Sequence, residues 1–274
     1  MFKIIIMALL IFIGMVGYDS ITDKAQPTTP VQQEQQKVSK HGKSAAMALF
    51  VSLLPPKEEW PSPVHKFYLA FNMDEVIDPI RQNPNWTSLD AMSRDIPQAL
   101  IAIEDHAFYN HGAIAVEGIL RATLANINAG EVVQGGSTLT QQFVKNVFLS
   151  HEQSMERKIE EAVLSLMLED NYSKDEILEL YLNTTYFGAG STGIKQASRT
   201  YFGKAPSALT LAEAAVIASL PYAPTGLNPL ENPDGCKKRQ LLVLAAMHKY
   251  GMINQGQLAE AKAEKIRLTN GTVM

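Results

Sequence analysis

Two polar clusters interrupt otherwise apolar sequence between Glu104 and Asn146, and their residue types suit the transfer of a group away from a phosphate. The first, Glu104-Asp105-His106-Ala107-Phe108-Tyr109-Asn110-His111-Gly112, follows the apolar run Ala99-Leu100-Ile101-Ala102-Ile103. A carboxylate pair closing an apolar helix can be desolvated, and desolvation makes Glu104 a better general base near neutrality. A bare Glu-Asp pair can also merely end a helix at the surface, but such an end has no need of Phe108, His111 and Gly112. The second cluster is Gly135-Gly136-Ser137-Thr138-Leu139-Thr140-Gln141-Gln142-Phe143-Val144-Lys145-Asn146. Ser137, Thr138, Gln141, Gln142 and Lys145 fall on the first two turns of one helix. Free N–H groups, two hydroxyls and an ammonium there favour a diphosphate. The spacing is not that of a Walker loop, and the bland alternative is a Ser/Thr cap with a solvated polar face. Further on, Arg157-Lys158 opens a helix that puts Glu161 one turn from Arg157. Taken alone, that is an ordinary surface ion pair.

The elements that must position these residues are helical. Asp95 can cap a helix with Pro97 in its first turn, running to Asp105. Ala115 to Ala129 reads as a second helix, ended by Gly130. Ser137 or Thr138 caps a third, through about Leu149. Ser154 caps a fourth, Met155 to Asp170, with Glu161, Leu164, Leu168 and Val163, Leu166, Met167 as adjacent stripes. Ser173 caps a fifth, Lys174 to Asn183, with Asp175 and Glu176 at its positive end. Leu211 to Ser219 and Lys238 to Tyr250 complete the set, with Gly251 as C-cap. Strands are scarce, there is no internal repeat, and the fold expected is a mainly α domain over residues 86–274.

Bulk properties bound the rest. The chain has 274 residues, 46% hydrophobic and 19% charged, which is globular composition. A net charge of −4 gives no global field for nucleic acid or anionic lipid, so a phosphate site must be local. The single cysteine, Cys236, excludes an internal disulfide and a cysteine zinc site, and beside Gly235 it reads as a small loop residue. Phe2 to Val16 is apolar except for Lys3, and over residues 1–18 it barely reaches across a bilayer. A cleaved signal peptide and an uncleaved anchor both fit; no Ala-x-Ala-like site follows, which favours a transmembrane signal-anchor. Lys3 and the terminal amine keep the N-terminus cytoplasmic and send the rest outside. Residues 19–44 read as a flexible tether, and 45–85 as a lead-in with an apolar run, Ala45–Leu54, and irregular proline-rich chain.

The ordered motifs resemble the peptidoglycan glycosyltransferases, the glycan-polymerising domain of class A penicillin-binding proteins that also occurs as monofunctional enzymes. The residues that carry the resemblance are Glu-Asp-x-x-Phe-Tyr-x-His (104–111), Gly-Gly-Ser-Thr-Leu-Thr-Gln-Gln-x-x-Lys-Asn (135–146), Arg157, Lys158 and Glu161, and Lys-x-Glu-Ile-Leu-Glu-x-Tyr-Leu-Asn (174–183). Tyr201-Phe202-Gly203-Lys204 and Leu211-x-Glu213-Ala214-Ala215 are similar to the family as well, so the match covers about 86–250. One departure is visible: the family has His-x-Gly where this chain has His111-Gly112-Ala113, which displaces the glycine by one.

The resemblance implies a lysozyme-like, two-lobed domain that polymerises lipid II into β-1,4-linked glycan strands. The donor is a glycan α-linked to a polyprenyl diphosphate, attacked with inversion by the acceptor's sugar 4-hydroxyl. Glu104 is implied as base. Ser137, Thr138, Gln141, Gln142, Lys145, Asn146, Arg157 and Lys158 are implied as substrate-binding residues, and Arg121 as support for the acceptor. Glu161 is implied to orient these cations or to help hold a divalent ion, Mg or Mn, at the diphosphate. No organic cofactor is expected. Both substrates ride in the bilayer on polyprenyl tails, so single-pass anchoring in a bacterial cytoplasmic membrane, with the domain on its outer face beside other cell-wall synthesis proteins, restricts the search to two dimensions. Ala45–Leu54 with Phe143, Val147, Phe148 and Leu149 can form an interfacial surface, or simply pack in the core. The competing readings are a lytic, wall-cleaving lysozyme-like enzyme, which has no need of the Lys145/Arg157 cations, and an inactive anchored scaffold. No Ser-x-x-Lys or Lys-Thr-Gly occurs, so no transpeptidase centre is expected.

Overall fold

The structure, a computed structural model, describes residues 68–69, 72–115, 118, 136–149 and 154–274, all within one compact unit, Lys66–Met274. Among the described residues the chain is mainly helical. Its helices are α1 (Asp74–Arg81), α2 (Asp95–Glu104), α3 (Leu139–Phe148), α4 (Met155–Asn171), α5 (Lys174–Thr184), α6 (Ile194–Phe202), α7 (Leu211–Ser219), α8 (Pro233–Lys249) and α9 (Gln255–Ala263), with 3-10 turns at Leu89–Ala91 and Pro206–Ala208. The only extended pairing among the described residues is two isolated antiparallel bridges, Tyr186 with Thr192 and Arg267 with Val273.

Most of these helices begin where a short polar side chain can accept the orphan N–H groups of a first turn. Thr138, Ser173, Thr210 and Asn254 each form a reciprocal capping box with the residue three positions on, Gln141, Glu176, Glu213 and Gln257. Ser154 and Asn232 cap α4 and α8 one-sidedly.

Packing follows from side-chain size. In α7, Ala212, Ala214, Ala215 and Ala218 are all buried, and so are Ala99 and Ala102 of α2. Small side chains on both surfaces let the helix backbones approach closely, and α7 packs on α2 and α8, which also pack on each other. A second group joins α3 to α4 and α5 through Leu139, Phe143, Val144, Leu164, Leu168, Ile177 and Leu178, all buried. One continuous core runs through both groups. Truncating a fully buried member such as Leu168 or Ile177 to alanine costs about 2–5 kcal/mol.

Several expectations need correction. Asp95 is the first residue of α2, not its cap; Arg94 holds that position without a side-chain bond, and Asp95 interacts with Ser93 instead. Helix α8 begins at Pro233, five residues before the expected Lys238, because Asn232 caps it and proline suits a first turn. Cys236 therefore lies buried inside α8 beside Ser219 rather than in a loop, and burial pushes its thiol up to about 11. Three helices, α1, α6 and α9, were not anticipated. In α4 the stripe containing Glu161, Leu164 and Leu168 is buried, but Val163 and Leu166 are exposed. Phe143 and Leu149 are buried in the core, and Val147 and Phe148 pack against it while staying partly exposed. The expected membrane segment, the tether, the Ala45–Leu54 run and most of the helix read at Ala115–Ala129 lie outside the described residues. Among those described, no helix is long and apolar enough to cross a membrane.

Candidate active site

Glu104 is the last residue of α2, two positions after the buried run Ala99–Ala102. The helix thus carries a carboxylate to the edge of the core. Its Oε2 accepts the Gln142 amide at 3.0 Å, and Gln142 Oε1 accepts the Tyr181 hydroxyl at 3.0 Å. Burial pushes the Glu104 carboxyl above its ordinary value. The Gln142 hydrogen bond and the Arg239 and Lys145 charges draw it back, while Asp105 adds to the rise. Tyr181 is itself fully buried, and burial together with the Glu104 charge holds its phenol well above the usual range. It is therefore a fixed donor that orients Gln142, which in turn orients Glu104.

Asp105 works in the opposite direction, into the framework. Its Oδ1 lies 2.6 Å from His111 Nε2, and its Oδ2 accepts the Leu139 backbone N–H at 3.0 Å. His111 Nδ1 lies 2.6 Å from the Gly112 carbonyl, and Thr138 Oγ1 donates to the Ala113 carbonyl at 2.7 Å. The loop after α2 and the start of α3 are thereby sewn together. Gly112 is exposed, lies outside the left-handed region and has open space where a Cβ would stand. Ala113, at the family's glycine position, is buried with its carbonyl in use. The displaced glycine therefore leaves the loop with its bonds made.

The cations gather at the other side of the α3 start. Lys158 Nζ donates to Ser137 Oγ at 3.1 Å and to Glu161, and Arg157 Nη1 donates to the second Glu161 oxygen at 3.2 Å. The Glu161 side chain is only 2% exposed, so the pair is not the surface ion pair that spacing suggests. Two cations around one buried carboxylate leave net positive charge, and the buried Arg157 Nε has no hydrogen-bond partner. Lys145, on the exposed side of α3, has no salt bridge to any described residue and is close enough to act on Glu104.

The remaining members of the second cluster divide differently from expectation. Thr138 and Gln141 are buried and engage each other in the capping box at the helix start. Gln142 is turned to Glu104. Asn146 is exposed on α3. Arg121 lies outside the described residues. Ser137, Arg157 and Lys158 form one hydrogen-bonded group with Glu161, and Lys145 is exposed on α3.

Sequence reading missed Arg239 and Tyr222. Arg239 comes from α8, more than a hundred residues after Glu104, and its guanidinium carbon lies 4.1 Å over the Tyr222 ring centroid. Nothing in local spacing links it to Glu104; only the packing of α8 on α2 does. Tyr250, just past α8, stacks on His106 with ring centroids 4.1 Å apart and ties the C-terminal end of that helix to the first cluster.

Comparison with known proteins bears on the same stretch. The Transglycosylase family model matches residues 73–248, thirteen residues further toward the N-terminus than the motifs alone suggested, which takes in α1. A Bacillus subtilis protein, penicillin-binding protein 1A/1B, is 39% identical over 229 residues, 82% of this chain and 25% of its own length. A Cupriavidus necator protein named for transglycosylase activity is 41% identical over 194 residues, 71% of this chain and 84% of its own. Penicillin-binding protein 1A of Neisseria flavescens is 44% identical over 185 residues, 68% of this chain and 23% of its own. The chain thus spans about a quarter of the length of the penicillin-binding relatives and most of the Cupriavidus one. Both clusters, the α3 that joins them and α8 all fall inside the matched residues, and the chain belongs to the transglycosylase family, whose domain it shares with these penicillin-binding proteins.

Proposed function

We propose that this chain is a peptidoglycan glycosyltransferase that polymerises lipid II. The observation that supports it most directly is the double attachment of α3, with Gln142 holding Glu104 at 3.0 Å and Lys158 held at Ser137 at 3.1 Å. The acceptor's sugar 4-hydroxyl attacks C1 of the donor and gives its proton to Glu104. The C1–oxygen bond to the polyprenyl diphosphate breaks, and the new β-1,4 bond forms with inversion in a single displacement. A diphosphate leaves without protonation but needs its charge met, and Lys145, Arg157, Lys158 and the Ser137 hydroxyl are the groups that meet it.

The raised Glu104 carboxyl would also suit an acid, which favours a lytic, glycoside-cleaving enzyme as second reading. Such an enzyme protonates a sugar leaving group and has no use for the cations Lys145, Arg157 and Lys158, so their presence supports transfer from a diphosphate. Incubating the purified protein with labelled lipid II and sizing the products separates the readings. Long glycan supports polymerisation, cleavage of finished glycan supports the lytic reading, and neither product supports an inactive scaffold.

The residues at Glu161 do not make a metal site: both carboxylate oxygens are taken by Arg157 and Lys158, and no group of three metal-ligating side chains occurs among the described residues. No step here runs through a metal. A divalent ion, Mg or Mn, enters the proposal only as counter-ion of the substrate's own diphosphate, and chelation with EDTA tests it.

The finer architecture belongs to the same proposal. The domain, residues 86–274, is read as lysozyme-like and two-lobed, carried by a membrane anchor at 1–18, a tether at 19–44 and a lead-in at 45–85. It would act on the outer face of a bacterial cytoplasmic membrane, where lipid II and the growing glycan are held by the bilayer and other cell-wall synthesis proteins work. N-terminal sequencing of the mature protein tests the anchor; a start near Tyr18 would remove it.

A further inference from the structure

Lys174 opens α5 at the corner where α4 ends, and its ammonium makes two contacts that the proposed reaction does not use. Its Nζ lies 2.7 Å from Glu169 Oε1 and 4.5 Å over the centroid of the Phe108 ring. The same Glu169 oxygen accepts the Thr140 hydroxyl at 2.5 Å. Phe108 and Thr140 are fully buried, and the Lys174 and Glu169 side chains are only 20% and 14% exposed. With so little water around them, an ion pair and a cation over a ring both hold more firmly than they would at the surface.

These contacts join two elements of the candidate site. Phe108 belongs to the loop that leaves Glu104, and its backbone N–H donates to the Asp105 carbonyl at 2.9 Å. Thr140 belongs to α3. Each residue of an α-helix turns the chain by about 100°, so Thr140 and Gln142 leave α3 on nearly opposite sides. Gln142 ties one side of α3 directly to Glu104 at 3.0 Å. Thr140, Glu169, Lys174 and Phe108 tie the other side back to the loop after Glu104. Tyr109 reinforces the loop end by donating to Asp175 Oδ1 at 2.7 Å, one residue past Lys174. A direct bond and a four-residue strut thus hold the same two elements from opposite faces, and the ammonium is the joint of the strut. Helix α3 also carries Lys145, so the strut sets the spacing between the proton acceptor and a charge that meets the diphosphate.

We propose that Lys174, seated between the Phe108 ring and Glu169, is a positioning residue that fixes α3 against Glu104 for the transfer. This rests on Glu104 being the base.

The test is initial-rate kinetics on labelled lipid II in detergent, on full-chain variants at a temperature where thermal denaturation shows each of them folded. Lys174→Met keeps the length of the stem and removes the charge. Its kcat should fall about tenfold or more, because a small misplacement of catalytic groups is costly in rate. Its KM should stay within about twofold, since Lys174 touches no substrate. Lys174→Arg can both pair with Glu169 and cover the ring, so it should recover most of the lost kcat. Thr140→Val cuts the strut at its α3 end, and joining it to Lys174→Met should lower kcat little further than the worse single change. A folded Lys174→Met with wild-type kcat marks a merely structural residue and overturns the inference, as does an arginine variant no better than methionine. If Lys174→Met does not fold, an unchanged kcat in Thr140→Val overturns it equally well. Activity retained in Glu104→Gln would instead overturn the reading of Glu104 as base, a failure distinguishable from the other because it needs no change at Lys174.

Discussion

Asp105 Oδ2 accepts the backbone N–H of Leu139 at 3.0 Å, so the residue after the proposed base fixes the first turn of the helix that carries Gln142 and Lys145. Replacing Asp105 with alanine strands that N–H and removes the partner of His111. The expected cost is about 1–3 kcal/mol, because a buried donor left unmade loses its desolvation energy. Thermal denaturation reads it. Polymerisation should fall with it, since Gln142 loses its register against Glu104.

Glu104→Gln keeps the shape and an acceptor for Gln142 while losing basicity. It should abolish polymerisation while the protein stays folded. Activity within about tenfold of wild type would end the base assignment, since a general base contributes roughly 10²–10⁴.

Lys145→Ala removes a charge that has no salt-bridge partner among the described residues. Turnover at saturating lipid II should fall about 10²-fold or more, the size seen when one electrostatic stabiliser is lost. An unchanged rate would place the diphosphate elsewhere.

Glu161→Ala leaves Arg157 and Lys158 near each other without their shared anion. Lys158 can turn to water, being nearly half exposed, whereas Arg157 cannot easily do so. A stability loss of about 1–3 kcal/mol is expected, mostly from the Arg157 side. KM should rise too, because the cations are no longer aimed. Denaturant titration together with initial-rate kinetics would expose a variant that changes neither.

These predictions lean on residues of unequal visibility. Thr138, Ser154 and Ser173 were legible as caps because capping is a local matter, settled within four residues. Glu104 and the Arg157–Glu161 pair were legible as groups, and α7 matched residue for residue. Helix α1 was hidden by Pro79 and Pro84, which read as breakers, although Pro79 sits in the last turns of a short helix. That helix is held from outside by Tyr172 on Asp74 and by Arg81 on Glu176, contacts about a hundred residues apart in sequence. Glu161 looked like a surface residue because pair spacing says nothing of depth. The burial of Thr138 and Gln141 was not legible either, because a capping box and a phosphate cradle use the same side chains.

The raised Glu104 carboxyl carries a thermodynamic signature. Its folded-state value lies above the ordinary 4.5, with burial as the leading cause. The folded state therefore holds the proton longer than the unfolded chain. Stability tied to this group is fully present below about pH 4.5 and is lost as pH rises through the folded value. Glu104→Gln lacks the group, so its stability advantage over wild type should grow with pH above about 4.5. A difference that stays flat across chemical denaturation at several pH values would contradict this.

Glu104 also ends α2, a helix with no basic residue in its last turn. The aligned peptide dipoles leave partial negative charge at that end, where an anion is disfavoured. The chain thus places a carboxylate against its own helix dipole as well as inside its core, and supplies opposing charge only from α3 and α8. A folding optimum would put lysine there. Selection for stability alone would then be expected to erase Glu104 early, and variants chosen purely for a higher melting point should accumulate losses at this helix end before anywhere else in the site.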